Sequence, residues 1–145
     1  MLFQQLNRTD PEKVLAVFTN SEAGTLVNGD LLAWDTAGTL GVSCKKSAVL
    51  RTPFVAGVCA SPSTVNTSGI GLMQVYGYHS AVKTTTTVTV STVVPICADT
   101  AGKCVNYTAS TTSLSATGTA EVHSVIGFAA TVNDTNTAGI ILRLM

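Results

Sequence analysis

Apolar and polar residues alternate with a period of two along much of the chain. The pattern is longest over residues 70–79, where Leu72, Gln74, Tyr76 and Tyr78 fall on one side and Met73, Val75, Gly77 and His79 on the other. Residues 82–94 alternate too, with Val82, Val88 and Val90 opposite Lys83, Thr85, Thr87, Thr89 and Ser91. Shorter apolar runs at 14–19, 30–34 and 54–60 predict further strands. Turn signals separate them: Asn28-Gly29, the DTAG of residues 35–38, and a polar loop over 61–69. Thr9 and Glu12 have the spacing of a capping box and Pro11 suits a first helical turn. The apolar run that follows is too short for a helix, so 14–19 reads as a strand. Residues 107–120, rich in Ser and Thr, read as a weak strand or a long loop. Residues 1–13 have no period and read as an extended N-terminal arm, leaving 14–145 as a single β domain.

The chain also echoes itself. VAGVCASPSTVNTSGI (55–70) resembles VIGFAATVNDTNTAGI (125–140), and Gly57 and Gly69 have the same spacing as Gly127 and Gly139. DTAG occurs at Asp35 and again at Asp99, in the same order relative to these blocks. A duplicated β-unit, about 25–80 and 88–145, accounts for both matches. Two copies are too few for a solenoid. They predict an all-β fold, a compact barrel or sandwich of two pseudo-repeated units, since closure removes exposed sheet edges.

Composition agrees. Thr (23) and Val (18), both β-branched, are the commonest of the 145 residues. Only 11% of residues are charged and the net charge is zero. That opposes nucleic-acid binding, which needs clustered Lys and Arg, and attachment to anionic lipid. It also leaves a surface poorly guarded against self-association, which suggests that partners cover part of it. No basic-then-apolar leader opens the chain, so synthesis in a cytoplasm is expected and Cys44, Cys59, Cys97 and Cys104 are expected to be reduced. Cys97 and Cys104 are near enough in sequence to face each other across a hairpin.

Candidate chemistry is sparse. His79 and His123 have no nucleophile motif beside them. Glu121 and His123 would share a strand face but lack companions for a metal. Gly69-Ile70-Gly71 is not followed by the third glycine of a dinucleotide loop. Lys45 and Lys46, beside Cys44, read as a solvated turn. Asn7, Asn66, Asn106 and Asn133 begin N-x-S/T triplets that arise by chance in so Thr-rich a chain. The reading is therefore no enzyme, no cofactor and no metal. Trp34, Tyr76 and Tyr78 remain as interface candidates, because large aromatics are enriched where subunits meet. Leu2 and Phe3 join them as apolar residues in an arm with no local element to bury them.

GDLLAWDTAG, VAGVCA, GIGLMQVYGYHSAV, VIGFAA and GIILRLM, in that order, resemble small structural proteins of tailed bacteriophages, most of all capsid decoration (cement) proteins. The likeness covers about 24–80 and 125–145, and 103–120 departs from it. It implies a β-rich homo-oligomer, a trimer by preference, that binds the major capsid protein on the outside of the virion and stabilises the shell. A tail- or fibre-associated module that binds carbohydrate or a receptor through Tyr76 and Tyr78 is the alternative.

Overall fold

The β-branched, alternating segments form nine strands among the described residues, and the strand order follows the internal echo. The computed structural model describes residues 13–39, 41–48, 54–86, 88, 95–107 and 125–143. The expected arm, with Leu2 and Phe3, lies outside them apart from Lys13, as do Glu121, His123 and all of 107–120 except Tyr107. The strands are β1 (Val14–Asn20), β2 (Leu31–Trp34), β3 (Ser43–Lys46), β4 (Val55–Cys59), β5 (Ile70–Lys83), β6 (Pro95–Ala98), β7 (Cys104–Asn106), β8 (Val125–Val132) and β9 (Thr137–Arg143). A 3-10 turn, Thr100–Gly102, stands between β6 and β7.

The first five strands close on themselves. β1 runs parallel to β3, and β3–β2, β2–β4, β4–β5 and β5–β1 are all antiparallel. The result is a five-stranded barrel without a free edge, the usual way an all-β chain avoids edge-to-edge aggregation. β5 then runs on past it. Its later residues pair with β9, which pairs with β8, then β6, then β7. β7 returns beside the end of β5 through the parallel bridge Thr84↔Cys104. Residues 82–94, expected as a separate strand, thus begin as the continuation of β5, and the register shifts between His79 and Val82.

The second unit repeats the pairings of the first residue by residue. Leu32 faces Gly57 and Ile96 faces Gly127, with the same register shift at the next position. Trp34 faces Cys44, and Ala98 faces Cys104. Phe18 and Thr19 pair with Gly71 and Ile70 as Val82 and Lys83 pair with Ala138 and Thr137. Residues 76–83 of β5 therefore act as the first strand of the second unit, while 70–75 close the first. One part of the echo is displaced. Cys59 pairs with Met73 where Ala129 pairs with Ile140, so Ile140 corresponds to Met73 and not to Ile70. The loops explain the slip. β8 and β9 are joined by a tight turn in which Asp134 Oδ1 accepts from the N–H groups of Asn136 and Thr137. In the first unit the longer loop folds back and Val65 bridges Leu26.

Two apolar cores result. Phe18, Leu26, Leu32, Cys44, Ala56, Cys59, Val65 and Met73 fill the first. Val82, Ile96, Cys104, Ile126, Ala129, Ala138, Ile140 and Leu142 are among those filling the second, joined by Leu31 and Val58 of the first unit. β2 is buried on both sides for this reason, with Leu32 in one core and Leu31 in the other. That is why it reads as an unbroken apolar run rather than an alternation.

The matched glycines mark where the sheets bend. A Cβ on Gly57 would meet the Gln74 carbonyl oxygen at 2.8 Å, and one on Gly127 would overlap the carbonyl oxygen of Ile141, the residue that corresponds to Gln74. Each bulged strand approaches its neighbour too closely for a side chain. Gly127→Ala should cost roughly 1–3 kcal/mol, the scale of an overpacked core. Gly24→Ala should be near neutral, because nothing lies within 4 Å of the added methyl. Urea denaturation of the two variants checks the contrast.

The units are pinned together by a buried carboxylate. Asp30 is 1% exposed. Its Oδ1 lies 2.5 Å from Lys83 Nζ on β5, its Oδ2 lies 3.7 Å from Lys46 Nζ on β3, and Oδ2 accepts the Val27 N–H at 2.9 Å. Gly29, at φ 88° with the Ala81 carbonyl against its α-carbon, lets the chain pass this close to β5. Lys83→Met should destabilise the fold by at most about 3 kcal/mol, the low end for orphaning a buried charge, because Lys46 still shares it. Adding Asp30→Asn to that variant should restore part of the loss, a sign that a double-mutant cycle reads directly.

Candidate functional site

Strand β1 is apolar at almost every position, VLAVF over 14–18, although a barrel buries only one side of it. Phe18 is fully buried, while Leu15 and Val17 point outward at 49% and 62% exposure. On the neighbouring strand Ile70 and Leu72 do the same at 75% and 38%. Register places Val17 directly opposite Leu72 and Thr19 opposite Ile70. The outer face of the β1–β5 pair is thus a contiguous apolar patch on the described surface. Beside it a cleft of roughly 200 Å³ is lined by Val17, Pro62, Val65, Ile70 and Leu72, among others. None of these residues was an interface candidate from sequence. The signal that could have found them was the missing alternation in VLAVF, where a one-sided barrel strand would place polar residues outside.

Of the described sequence candidates only Tyr76 borders this patch, and Tyr78 and Trp34 lie elsewhere. Tyr76, 39% exposed, lies at its end, opposite Val14 on β1 and Arg143 on β9. Tyr78 is half-buried. Its Oη sits 3.2 Å from Thr131 Oγ1, and its ring lies against Gly139, where a Cβ would overlap it. Trp34 packs against the first core, and its backbone N–H bonds the Phe54 carbonyl at 2.9 Å. It is half-buried wall rather than open contact surface.

Asp30, Asp35, Lys45, Lys46 and Lys83 are engaged in ion pairs within the fold. Lys45 and Lys46 lie on β3, not on a solvated turn, because Lys45 pairs with Asp35 at 3.0 Å and Lys46 approaches Asp30. The Lys45 and Ala37 hydrogen bonds hold the Asp35 carboxyl below its ordinary range. All four cysteines are buried thiols outside any disulfide. Burial pushes the Cys44 thiol up to about 12, with Asp35 adding to it, and raises Cys59 and Cys104 as well. Such thiols are poor nucleophiles. Cys97 faces Val105 and Cys104 faces Ala98, so the two cysteines are not opposite each other in the β6–β7 ladder. Among the described residues no group of three or more His, Cys, Asp or Glu is placed to hold a metal ion. No helix among them is long and apolar enough to cross a membrane.

His79 lies inside the second unit. It is 6% exposed, and its Nδ1 accepts the Ala81 N–H at 3.3 Å. Burial holds the imidazole below its ordinary value of 6.5; Lys13 acts in the same sense, and a backbone bond to Cys59 opposes both. Comparison with known protein families, curated proteins and solved structures finds no match. What the site offers is a surface: an exposed apolar patch with Tyr76 at its end, on a closed sheet.

The His79 geometry gives a pH prediction. A folded-state value below the unfolded one means that the unfolded chain binds the extra proton. The stabilisation is present above the unfolded value near 6.5 and is lost as pH falls through the folded one. Melting temperature should therefore drop as pH is lowered through this window, and His79→Gln should drop less.

Proposed function

We propose that this is a non-enzymatic virion structural protein, a decoration protein that binds the major capsid protein on the outside of a phage shell and stabilises it as a homo-oligomer, with a trimer favoured. The observation that carries this reading is the outward apolar patch of Val17, Ile70 and Leu72, at 62%, 75% and 38% exposure. Large exposed apolar patches on soluble folds mark contact surfaces. Each such side chain contributes roughly 1.5–3 kcal/mol when fully buried, so three are enough to anchor a contact repeated over a lattice. The low charge of the chain and its likeness to decoration proteins support the same reading. The motif residues of that likeness, Gly29, Asp30 and Asp35 among them, act here in turns and at the joint between units, so it speaks to fold and the patch speaks to contact.

The arm extends the contact. Leu2 and Phe3 precede β1 in the sequence, and burying them on the shell would contribute roughly 1.5–3 kcal/mol each before ordering costs. A tail- or fibre-associated carbohydrate-binding module is the second reading, favoured by the exposed ring of Tyr76 beside Arg143. Ile70→Glu with Leu72→Glu should cut occupancy on expanded shells at least tenfold with the melting temperature nearly unchanged. Deletion of residues 1–8 should lower occupancy less. Full occupancy by both variants would refute the shell reading. Glycan binding that is lost in Tyr76→Ala would establish the second one. Replacing His79 and His123 together with Gln should leave shell binding intact, and loss of binding by a folded double variant would overturn the non-enzymatic, surface-based reading.

A further inference from the structure

The joint between the two units is a run of backbone contacts as well as an ion pair, and a histidine is built into it. β5 shifts register between His79 and Val82. Within that shift the Ala81 carbonyl packs so closely on Gly29 that a Cβ there would overlap it. Gly29 N–H bonds the Cys59 carbonyl at 2.9 Å, Lys83 N–H bonds the Gly29 carbonyl at 3.0 Å, and Cys59 N–H bonds the Asp30 carbonyl at 2.8 Å. Lys83 Nζ then meets the Asp30 carboxylate. The end of β4, the shifted part of β5 and the turn before β2 are therefore tied together. Displacing Ala81 displaces Gly29, and with it Asp30.

His79 holds the same stretch of β5. Its ring is 6% exposed, and Nδ1 accepts the Ala81 N–H at 3.3 Å. An imidazole nitrogen accepts only while it is unprotonated. A proton on Nδ1 removes the acceptor, sets two donors against each other and places a charge in a buried position. The surroundings do little to welcome that charge. Lys13, before β1, opposes it, and a backbone bond to Cys59 on β4 favours it. The Cys59 thiol is raised by burial and stays neutral. Ile140, opposite on β9, does not titrate. The carboxylate of the joint, Asp30, is held by Lys83 and Lys46.

We infer that His79 is a proton switch for the joint: a proton taken up at Nδ1 frees the Ala81 N–H, and the contacts of Gly29, Lys83 and Asp30 loosen with it while the two cores stay closed. The neutral ring is the fastened form. Burial sets the direction by holding the imidazole below its ordinary value, so the joint is whole above 6.5 and is released as pH falls through the lower, folded-state value. The cores have their own apolar contacts, around Leu32 in one and Ile126 in the other, and do not depend on the ring. The inference rests on the geometry of the joint and not on the shell reading.

The test follows amide hydrogen exchange of the full chain by NMR from about pH 7.5 to about pH 5, corrected for the intrinsic rate at each pH. Opening at Gly29, Ala81 and Lys83 should rise by up to about tenfold per pH unit below 6.5, the limit for one proton, and level off below the folded-state value. These amides should exchange faster than those of Leu32 and Ile126, and with little response to added urea, the mark of local opening. His79→Gln should abolish the rise. Lys13→Gln changes an exposed charge that disfavours the imidazolium, so it should weaken the rise, and it serves if His79→Gln fails to fold. Joint amides that open equally at all pH values overturn the inference. So do joint amides that exchange only together with Leu32 and Ile126 at one urea-dependent rate, which would make His79 a determinant of global stability alone. A rise that both variants leave unchanged overturns it as well, since another group would then carry the proton.

Discussion

A single strand, Ile70–Lys83, has to serve two β-units in succession, and the other strands are placed by that requirement. Its first half must present Gly71 and Met73 to one core and leave Ile70 and Leu72 outside. Its second half must bring Val82 into the other core. Register shifts between Val14 and Leu15 on one neighbour and between His79 and Val82 on β5 itself reconcile the two demands. Bulges bend a strand and increase its twist, which lets one ladder leave the barrel and enter the second unit.

The sharing of β5 decides how the sparse charge is used. Where the units meet, the loop before β2 must run close against β5, and the buried carboxylate of Asp30 is placed between Lys83 and Lys46. Breaking such a pair costs more than forming it yields, so its value lies in fixing one arrangement of the two units. Lys45 is drawn in the same way to Asp35. With these charges spent on internal joints, little charge remains to keep the apolar outer face of β1 and β5 from finding a partner.

The β1–β5 patch is apolar beyond what its barrel needs, and it is the surface on which the shell-binding proposal depends. The corresponding outer face of the second unit, around Phe128 and Ile141, is partly exposed, with Ile141 in the position that Gln74 holds in the first.

Much of the architecture was legible in the chain itself. Alternation and β-branched content specified an all-β body, because those patterns suit only a pleated surface with one side buried. Gly57 and Gly127 announced the repeat, because only glycine fits where a bulged strand meets its neighbour's carbonyl. The match of Ile70 with Ile140 misled by three residues, since loop length sets register and short motifs do not record it. The sharing of β5, the two-sided burial of β2 and the ion pairs of Lys46 and Lys83 with Asp30 were decided by the tertiary structure alone. So was the patch of Val17, Ile70 and Leu72. Exposure depends on which strands lie across from a residue, and a period of two says which side a residue takes without saying what, if anything, waits there.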